Sequence, residues 1–546
     1  MSRATSPGPR PGTLSYALTP LQQGMLAQHL RAPGSGVDIE QLVCTLPELV
    51  DADALRRAWQ AVVDAHDVLR TALEWNGLDR PRQTVFAKVE LPFRALDWRA
   101  LAASERGARF AALLAADRAD GFELERAPLL RLTLVSFGDA EHRLVWTFHH
   151  AILDGRCFPM VLREVFDAYD AARRGEAPPP IEARRPFVEY VEWLDARDHG
   201  ASDEFWRRTL AGITTATPIP VARAVPARER VVQGDTEHTL DVWTTDALRV
   251  LAEMHGVTLN TVVQAGWALV LSRYSGESDV VFGVARAGRR GTVADADAML
   301  GLFINTLPLR VAVRDDQSVG DWLRDVRSTW NALREHEHTP LSRVLACSAV
   351  PPGQPLFDSM VMFESYELEA SLQSLGGAWS PRGFRLHEQN GFPLTLAAYA
   401  GERLLLRLEY DRSRYEDDVA ARMLGHLATA LRDLAARGAE RTVGAISIVS
   451  DSERVQLLES FAGEVVRYEG GATLVERLSA QVARTPTAIA VADERASLTY
   501  AALDARAAAL ARRLRAMGVG AGVLVGVCAE RSVELVVALV AVLKAG

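Results

Sequence analysis

The segment HHAILDG, residues 149–155, decides how the rest of the chain is interpreted. It follows Leu144–Phe148, a run of β-branched and aromatic residues that favours a strand. After it, apolar residues recur at helical spacing from Phe158 to Tyr169. Two histidines and an Asp-Gly pair are therefore expected at the junction of a strand and a helix. Because histidine titrates near pH ~6.5, it can accept or donate a proton at this junction.

A histidine pair after a strand can also be structural, with one ring in the core and the other in solvent. Neighbouring strand residues point to opposite faces, so His149 and His150 are not expected to do the same job. Further segments favour a functional interpretation. In chain order they are LTPLQQGML (18–26), AHDVLRT (65–71), FVEYVEW (187–193), GLFINTLPLR (301–310), HTPL (338–341) and PLFD (355–358) followed by FESY (363–366).

Together these segments resemble the ordered motifs of nonribosomal peptide synthetase condensation domains, whose histidine motif is written HHxxxDG. The wider superfamily includes chloramphenicol acetyltransferase. The resemblance covers roughly residues 14–455. One departure lies in the second motif, usually written RHExLRT, where Ala65 stands in the place of the first arginine.

A second resemblance begins near Gly470. LTYAAL (498–503) and LKAG (543–546) look like the first two core motifs of adenylation domains. In that family the phosphate loop, the ribose-binding aspartate and the catalytic lysine lie further along the chain, so an incomplete adenylation segment is expected. The alternative is an Ala-rich helical tail. The expected domains are a disordered leader (1–13), an N-terminal lobe (14–215), a C-terminal lobe (216–455), a linker (456–469) and the adenylation segment (470–546).

The resemblance implies an α/β fold with two chloramphenicol-acetyltransferase-like lobes in a V shape, plus the partial α/β adenylation segment. It places residues 149–155 at the lobe interface, in a tunnel open on both sides. The sequence itself predicts a strand at Asp279–Val284, another at Leu404–Tyr410, and a helix capped by Asn260.

The implied reaction joins a carrier-bound thioester donor, acyl or peptidyl, to the amine of a carrier-bound aminoacyl acceptor. The thioester already carries the activation, so the enzyme has to position two arms and manage one proton. The chain is therefore expected to bind no metal and no cofactor of its own. Its substrates are expected on the 4'-phosphopantetheine of donor and acceptor peptidyl carrier proteins.

The resemblance also assigns roles. His150 faces the reaction centre, either as general base or as a group that positions the amine, and His149 is a hydrogen-bonded partner within the motif. Asp154 is expected to be structural, because a carboxylate before a helix is stabilised by free N–H groups. Its implied partner is an arginine of the second lobe, Arg289 first and Arg286 second.

Three further residues complete the predicted site. Gly155 has no Cβ and would let the acceptor arm pass close to the backbone. Arg70 is a candidate for a buried ion pair. Asn305 either lines the tunnel or caps local backbone, and the two interpretations are equal. The nearby His336 and His338 are interpreted as solvated, and Glu335 and Glu337 beside them as a polar face.

Composition limits the other classes of function. With 61 basic and 70 acidic residues the net charge is −9, which disfavours nucleic-acid binding. Four scattered cysteines without CxxC spacing favour a reducing, cytoplasmic environment. The most apolar run, Val533–Leu543, is too short to span a membrane. A monomer is expected, with the donor supplied in trans because the sequence begins at Met1 with no carrier before it.

Alternatives within the family remain open. A starter condensation domain would acylate the first amino acid from an acyl-CoA or acyl carrier. A dual epimerisation/condensation domain is suggested by residues 18–26 and by the nearby His29 and Gly36–Asp38, although their spacing differs. Heterocyclisation is disfavoured by the intact histidine motif, and epimerisation by the adenylation segment that follows. The alternative from another class is an inactive partner-docking module, which the complete motif disfavours.

Overall fold

The computed structural model describes residues 13–223, 232–364, 368–437, 441–463 and 472–546. The chain divides into two compact units, Met1–Arg454 and Val455–Gly546. The predicted leader, apart from Thr13, lies outside the described residues, and so do residues 464–469 of the predicted linker and 365–366 of the FESY segment.

The first lobe of unit one is built around a mixed sheet with helices against it. Its elements are β1 (Leu14–Ala17), α1 (Pro20–Arg31), β2 (Ile39–Leu46), α2 (Ala52–Ala65), β3 (Thr71–Glu74), β4 (Arg82–Val85), β5 (Phe93–Asp97), α3 (Ala103–Asp120), β6 (Leu130–Gly138), β7 (Glu141–His149), α4 (Cys157–Arg173), α5 (Val188–Asp195) and α6 (Gly200–Thr209).

The second lobe has a larger sheet. Its elements are β8 (Gln233–Thr239), α7 (Val242–Met254), α8 (Leu259–Ser275), β9 (Asp279–Arg286), β10 (Asn305–Ala312), α9 (Val319–Ala332), α10 (Leu341–Ala346), β11 (Ser359–Glu364), α11 (Leu368–Gln373), β12 (Gly383–His387), β13 (Leu394–Ala400), β14 (Leu404–Asp411) and α12 (Asp417–Arg437), followed by α13 (Asp451–Val455) at the end of the unit.

Two sheets carry the lobes. The first-lobe sheet has the strand order β12-β2-β7-β6-β5, and the second-lobe sheet has the order β10-β9-β11-β13-β14-β8. In the first, Trp146 and Phe148 of β7 turn into a core that they share with α2 and α4, and Trp59 meets Trp146 edge-on at 4.9 Å. In the second, the alternate residues Leu404, Leu406 and Leu408 of β14 face the helix-covered core.

The chain crosses between the lobes more than once. β12 follows the second-lobe strand β11 in the chain but pairs with β2, which makes it an edge of the first-lobe sheet. The connection between β9 and β10 places Met299, Leu302 and Phe303 in the first-lobe core. In the opposite direction, Trp206 of α6 belongs to the second-lobe core. At these segments, residues that belong to one lobe by their position in the chain therefore pack in the hydrophobic core of the other lobe.

The crossing at β12 is held by a buried cation. Arg382, fully enclosed, donates to Glu48 at 2.8 Å and to Asp170 at 2.7 and 3.2 Å. Its guanidinium also lies over the Phe166 ring, 4.3 Å from the centroid. An enclosed charge with two carboxylate partners fixes the position of β12, because separating them would leave Arg382 and Asp170 unpaired and Glu48 with Arg173 alone.

The second unit contains α14 (Leu474–Arg484), β15 (Ile489–Ala492), β16 (Ser497–Thr499), α15 (Tyr500–Ala516) and α16 (Val533–Ala545). Thr473 and Glu476 form a capping box at the start of α14. Small residues at Ala507, Ala511 and Ala541 let α15 and α16 pack closely, whereas Leu539 and Leu543 remain half exposed. In the described part of the chain no helix is both long and apolar enough to cross a membrane.

The predicted fold class, an α/β protein with two lobes and an additional α/β segment, is confirmed. The strands at Asp279–Val284 and Leu404–Tyr410 are also present, as β9 and β14. The helix cap at Asn260 is wrong. Thr258 caps α8, because its hydroxyl accepts from the backbone N–H of Thr261, and Asn260 lies inside the first turn.

Candidate functional site

The HHAILDG segment lies where β7 ends and α4 begins. His149 is the last residue of β7 and pairs with Ile39 of β2. His150–Ile152 then form one 3₁₀ turn. The backbone N–H of His150 donates to the carbonyl of Asp38 at 2.8 Å, which fixes this turn against the neighbouring strand.

One ring nitrogen of His150 is hydrogen-bonded within the protein, and the other is available to a substrate. Its Nδ1 lies 2.7 Å from the carbonyl oxygen of Leu153. A carbonyl only accepts, so Nδ1 carries the hydrogen and Nε2 presents a lone pair. Burial lowers the pKa of His150, which favours this neutral form, while the side chain keeps some accessible surface. A neutral imidazole with a free Nε2 can accept a proton or a hydrogen bond from a substrate.

His149 has a different environment. It is buried, and its Nδ1 accepts the backbone N–H of Ala151 at 3.1 Å, which shapes the turn that carries His150. Burial, with the nearby rings of His29 and His150, lowers the pKa of His149 to about 3, so this ring stays neutral at physiological pH. His29 of α1 lies edge-on to it, with ring centroids 6.3 Å apart.

Asp154 is completely buried and pairs with Arg289. Nη2 of Arg289 donates to both carboxylate oxygens of Asp154, at 2.8 and 3.0 Å. The carboxylate also accepts the backbone N–H of Phe303 at 3.0 Å. Because both partners belong to the β9–β10 connection, Asp154 ties the histidine segment to a loop that comes from the second lobe.

The backbone of the β9–β10 connection directs the Arg289 side chain toward Asp154. Gly288 has φ +60°, and a Cβ on it would lie 2.0 Å from the Phe303 carbonyl oxygen, so only glycine fits beside the arginine. Nη1 of Arg289 donates to the carbonyls of Ala296 and Met299, at 2.6 and 2.8 Å. Both Nη atoms of the guanidinium therefore have partners, and these contacts orient it toward Asp154.

Arg286, the second candidate for this pairing, has another partner. It donates to Oε2 of Glu337 at 3.0 and 2.7 Å, and both side chains are buried. The interpretation of Glu337 and His338 as a solvated face is wrong, because His338 is also enclosed and packs edge-on against Trp193 at 4.8 Å. Burial lowers the pKa of His338 to about 4.

The remaining predicted site residues lie in separate places. Asn305 donates from Nδ2 to the carbonyls of Glu337 and Thr339, both at 2.9 Å, so it fastens that segment to the start of β10. Arg70 pairs with Asp67 at 2.6 Å and also donates to the Phe86 carbonyl. Gly155 is exposed, and a Cβ on it would meet only Phe158, at 4.0 Å.

A broad concavity of about 750 Å³ lies away from this site. It is lined by α9 and by the ends of β9 and β10, including Asp279, Arg310 and Trp322. His150 is not among its lining residues. The tunnel at the histidine segment stays a prediction.

Comparison with known proteins gives the family. A family model described as the condensation domain matches residues 14–458, and one described as an AMP-binding enzyme matches residues 478–546. The chain belongs to the condensation-domain family, followed by the start of an AMP-binding domain. The resemblance stated from the motifs is thereby confirmed.

Relatives and solved structures agree with this assignment. The chain is 40% identical over 532 residues to one component of the linear gramicidin synthase of Brevibacillus parabrevis, a match that covers 97% of this chain and 10% of the relative. A four-domain nonribosomal peptide synthetase, solved with AMP and glycine, has a TM-score of 0.69 at 20% identity and covers 99% of this chain and 42% of its own. The X-domain from teicoplanin biosynthesis, solved in complex with OxyB, has a TM-score of 0.67 at 22% identity, over 83% of this chain and 99% of its own.

These structural likenesses show the fold alone. The chain spans about a tenth of the length of the gramicidin synthase relative. The activity, substrates and partners of this chain therefore have to be argued from its own residues.

Proposed function

We propose that this chain forms an amide bond between a carrier-bound thioester donor and the amine of a carrier-bound acceptor, as part of nonribosomal peptide synthesis. The observation that carries the proposal is the state of His150. Its Nδ1 hydrogen is committed to the Leu153 carbonyl, which leaves Nε2 as a base or acceptor at the end of β7.

The chemistry needs one nucleophile, one leaving group and one proton relay. The acceptor nitrogen attacks the thioester carbon, the tetrahedral intermediate expels the pantetheine thiolate, and the nitrogen loses a proton. Nε2 of His150 can take that proton and return it to the thiolate, so the imidazole ends the cycle neutral. Alternatively, Nε2 only holds the amine in line for attack, in which case positioning supplies most of the acceleration.

The other site residues support this arrangement. Arg289 and Asp154 fix the turn between β7 and α4 without reaching the reacting atoms, since both side chains are fully enclosed. Gly155 is not required by its φ or by packing against neighbours. An arm that passes close to its backbone, such as the acceptor pantetheine, is a reason for glycine at that position.

The proposed partners are donor and acceptor peptidyl carrier proteins, which present the substrates on 4'-phosphopantetheine. Donor delivery in trans and a monomeric state stay predictions. A starter role with an acyl-CoA or acyl-carrier donor uses the same His150 chemistry and stays an alternative, and so does an inactive docking module.

A dual epimerisation/condensation role is the second candidate, and one contact favours it. His29, from the segment that suggested this subtype, lies against His149 at the site. The configuration of the donor residue in the product tests it. Inversion of an L-configured donor before condensation would support the dual role, and retention would argue against it.

The proposed function is tested with His150→Ala in the full chain, using a loaded donor and acceptor carrier and intact-mass detection of the product. The rate of amide formation is expected to fall about 10²–10⁴-fold if His150 acts as acid–base. His238→Ala, on β8 at the edge of the second-lobe sheet, is the matched control and should retain the wild-type rate. A fall of only several-fold would assign His150 to positioning, and a wild-type rate would remove it from the reaction.

A further inference from the structure

Four carboxyl groups lie together at the end of the first-lobe sheet that carries His150. Glu40 of β2 pairs with Phe148 of β7, directly beside His149. The backbone carbonyl of Asp38, two residues earlier, accepts a hydrogen bond from the backbone N–H of His150. On the other side of β2, His387 of β12 pairs with Gln41, so continuation of that register brings Glu388 opposite Glu40.

The second lobe contributes the fourth carboxyl. Leu406 and Leu408 of β14 point into the helix-covered core, so Arg407 and Glu409 point to the opposite face of the sheet. The carboxyls of Glu388 and Glu409 interact electrostatically with Glu40, and so does that of Asp38. This group of four, Asp38, Glu40, Glu388 and Glu409, is named the carboxyl cluster.

The cluster is buried and sets four carboxyls against one neighbouring cation, Arg407. Glu40 is 1% exposed and Glu409 is 7% exposed, and Oε2 of each is enclosed without a hydrogen-bond partner among the described residues. Arg407 is itself engaged by Glu237 at 2.7 Å. Burying unpaired carboxyls costs free energy, because neither water nor a protein donor replaces their lost hydration.

The pKa values of the four carboxyls also reflect their burial and their mutual repulsion. Burial raises the pKa of Asp38 and of Glu388 to about 7, and burial together with Glu388 raises that of Glu409 to about 8. Burial and the neighbouring carboxyls raise the pKa of Glu40 far above its usual range. Glu388 nevertheless keeps accessible surface, so the cluster is not sealed from solvent.

We propose that the carboxyl cluster is a substrate subsite for a positively charged side chain, an ammonium or guanidinium, carried by the donor or the acceptor residue. The inference rests on the proposed function and adds the class of substrate. Among the described residues no group of His, Cys, Asp and Glu has an arrangement that could hold a metal ion, so an organic cation is the better match.

The position of the cluster supports this assignment. Asp38 and His150 are joined by a backbone hydrogen bond between adjacent strands, which stand about 5 Å apart. A side chain extending from a residue that reacts at His150 can therefore reach the cluster. A cation would supply the missing donors, a neutral side chain would leave the carboxyls unpaired, and an anionic one would be repelled.

The test compares lysine with norleucine, which has a similar unbranched chain and no charge. One arm varies the donor and the other varies the acceptor, each as a carrier-bound thioester with the full chain. Wild type is expected to prefer lysine in one arm by about 10- to 100-fold in kcat/KM, the size of a buried charge-assisted interaction. The arm with the preference identifies which substrate carries the cation.

Two isosteric variants from different lobes, Glu40→Gln and Glu409→Gln, test the residues. Each should lower the lysine preference, the ratio of kcat/KM for lysine to that for norleucine, by about 10-fold. Glu402→Gln, an exposed carboxylate between β13 and β14, is the control and should change neither rate. Thermal unfolding checks each variant, and because they lie in different lobes, failure of one to fold leaves the other as the test.

The outcomes separate the two proposals. Amide formation with norleucine supports the proposed function whatever happens with lysine. Absence of a lysine preference in both arms, or an equal loss with both side chains in Glu40→Gln and Glu409→Gln, overturns the subsite. No amide with any substrate overturns the proposed function, and the subsite with it.

Discussion

Replacing Asp154 by alanine is expected to destabilise unit one more than it changes the chemistry. The substitution leaves the Arg289 guanidinium fully enclosed without its counter-ion. It also removes the acceptor of the Phe303 N–H. Removal of one partner of a buried ion pair costs about 3–5 kcal/mol, because the other charge stays buried and uncompensated.

The expected shift in melting temperature follows from the size of the unit. Unit one runs from Met1 to Arg454, about 450 residues. An unfolding entropy of about 2.1 cal/mol/K per residue gives roughly 1 kcal/mol/K for the whole unit. A loss of about 3–5 kcal/mol therefore lowers the melting temperature by about 3–5 °C.

The assay is calorimetric unfolding of Asp154→Ala, Arg289→Met and the double variant, with the amide-forming rate measured on the same samples. Arg289→Met removes the buried charge that Asp154→Ala leaves without a counter-ion. The double variant is therefore expected to be more stable than Asp154→Ala alone. An Asp154→Ala protein that melts like wild type yet makes no amide would refute this reasoning and assign Asp154 a direct catalytic role. Strictly additive losses in the double variant would show that the two side chains are not coupled.

Three further expectations concern other parts of unit one. Gly155→Val should keep the melting temperature but raise KM for the carrier-bound acceptor, since its Cβ has room in the protein; an unchanged KM would argue against an arm passing there. Because burial lowers the pKa of His150 from 6.5, its ring should stay neutral until the pH falls below that value. ¹³C-histidine NMR, with His150→Gln for assignment, checks this, and a titration above pH 6.5 would contradict it. Arg382→Met should destabilise by about 3–5 kcal/mol by leaving Asp170 without its cation and Glu48 with Arg173 alone, measured by denaturant unfolding, and a neutral effect would show that β12 is held by other contacts.

Local patterns in the sequence were sufficient for the junction at the site. Apolar and β-branched residues before His149, and helical spacing after Gly155, predicted the strand and helix that the structure has as β7 and α4. The preference for Arg289 over Arg286 came from a resemblance, and its physical basis is visible only in three dimensions. Gly288 lets the backbone approach Phe303, and that approach directs the next side chain to Asp154.

Long-range packing explains what the sequence did not predict. Glu337 and His338 have the appearance of a surface segment because nothing nearby in the chain covers them, yet Arg286 and Trp193 enclose them from distant elements. Asn260 and Thr258 are both reasonable helix caps by composition, and the choice depends on which residue keeps extended backbone, here Thr258.

The carboxyl cluster shows most clearly that long-range packing could not be predicted from the sequence. In the sequence Glu40 and Glu409 are two ordinary strand residues more than three hundred positions apart. They interact because the face of β14 that carries Glu409 lies near the end of the first-lobe sheet, where β12 pairs with β2. The segments that cross between the lobes thus also assemble the site. The β9–β10 connection places Arg289 beside Asp154, and β12 places Glu388 opposite Glu40. A change that loosens β12 should therefore alter substrate preference before it alters the state of His150, whose turn is held by β2 and by its own Leu153 carbonyl.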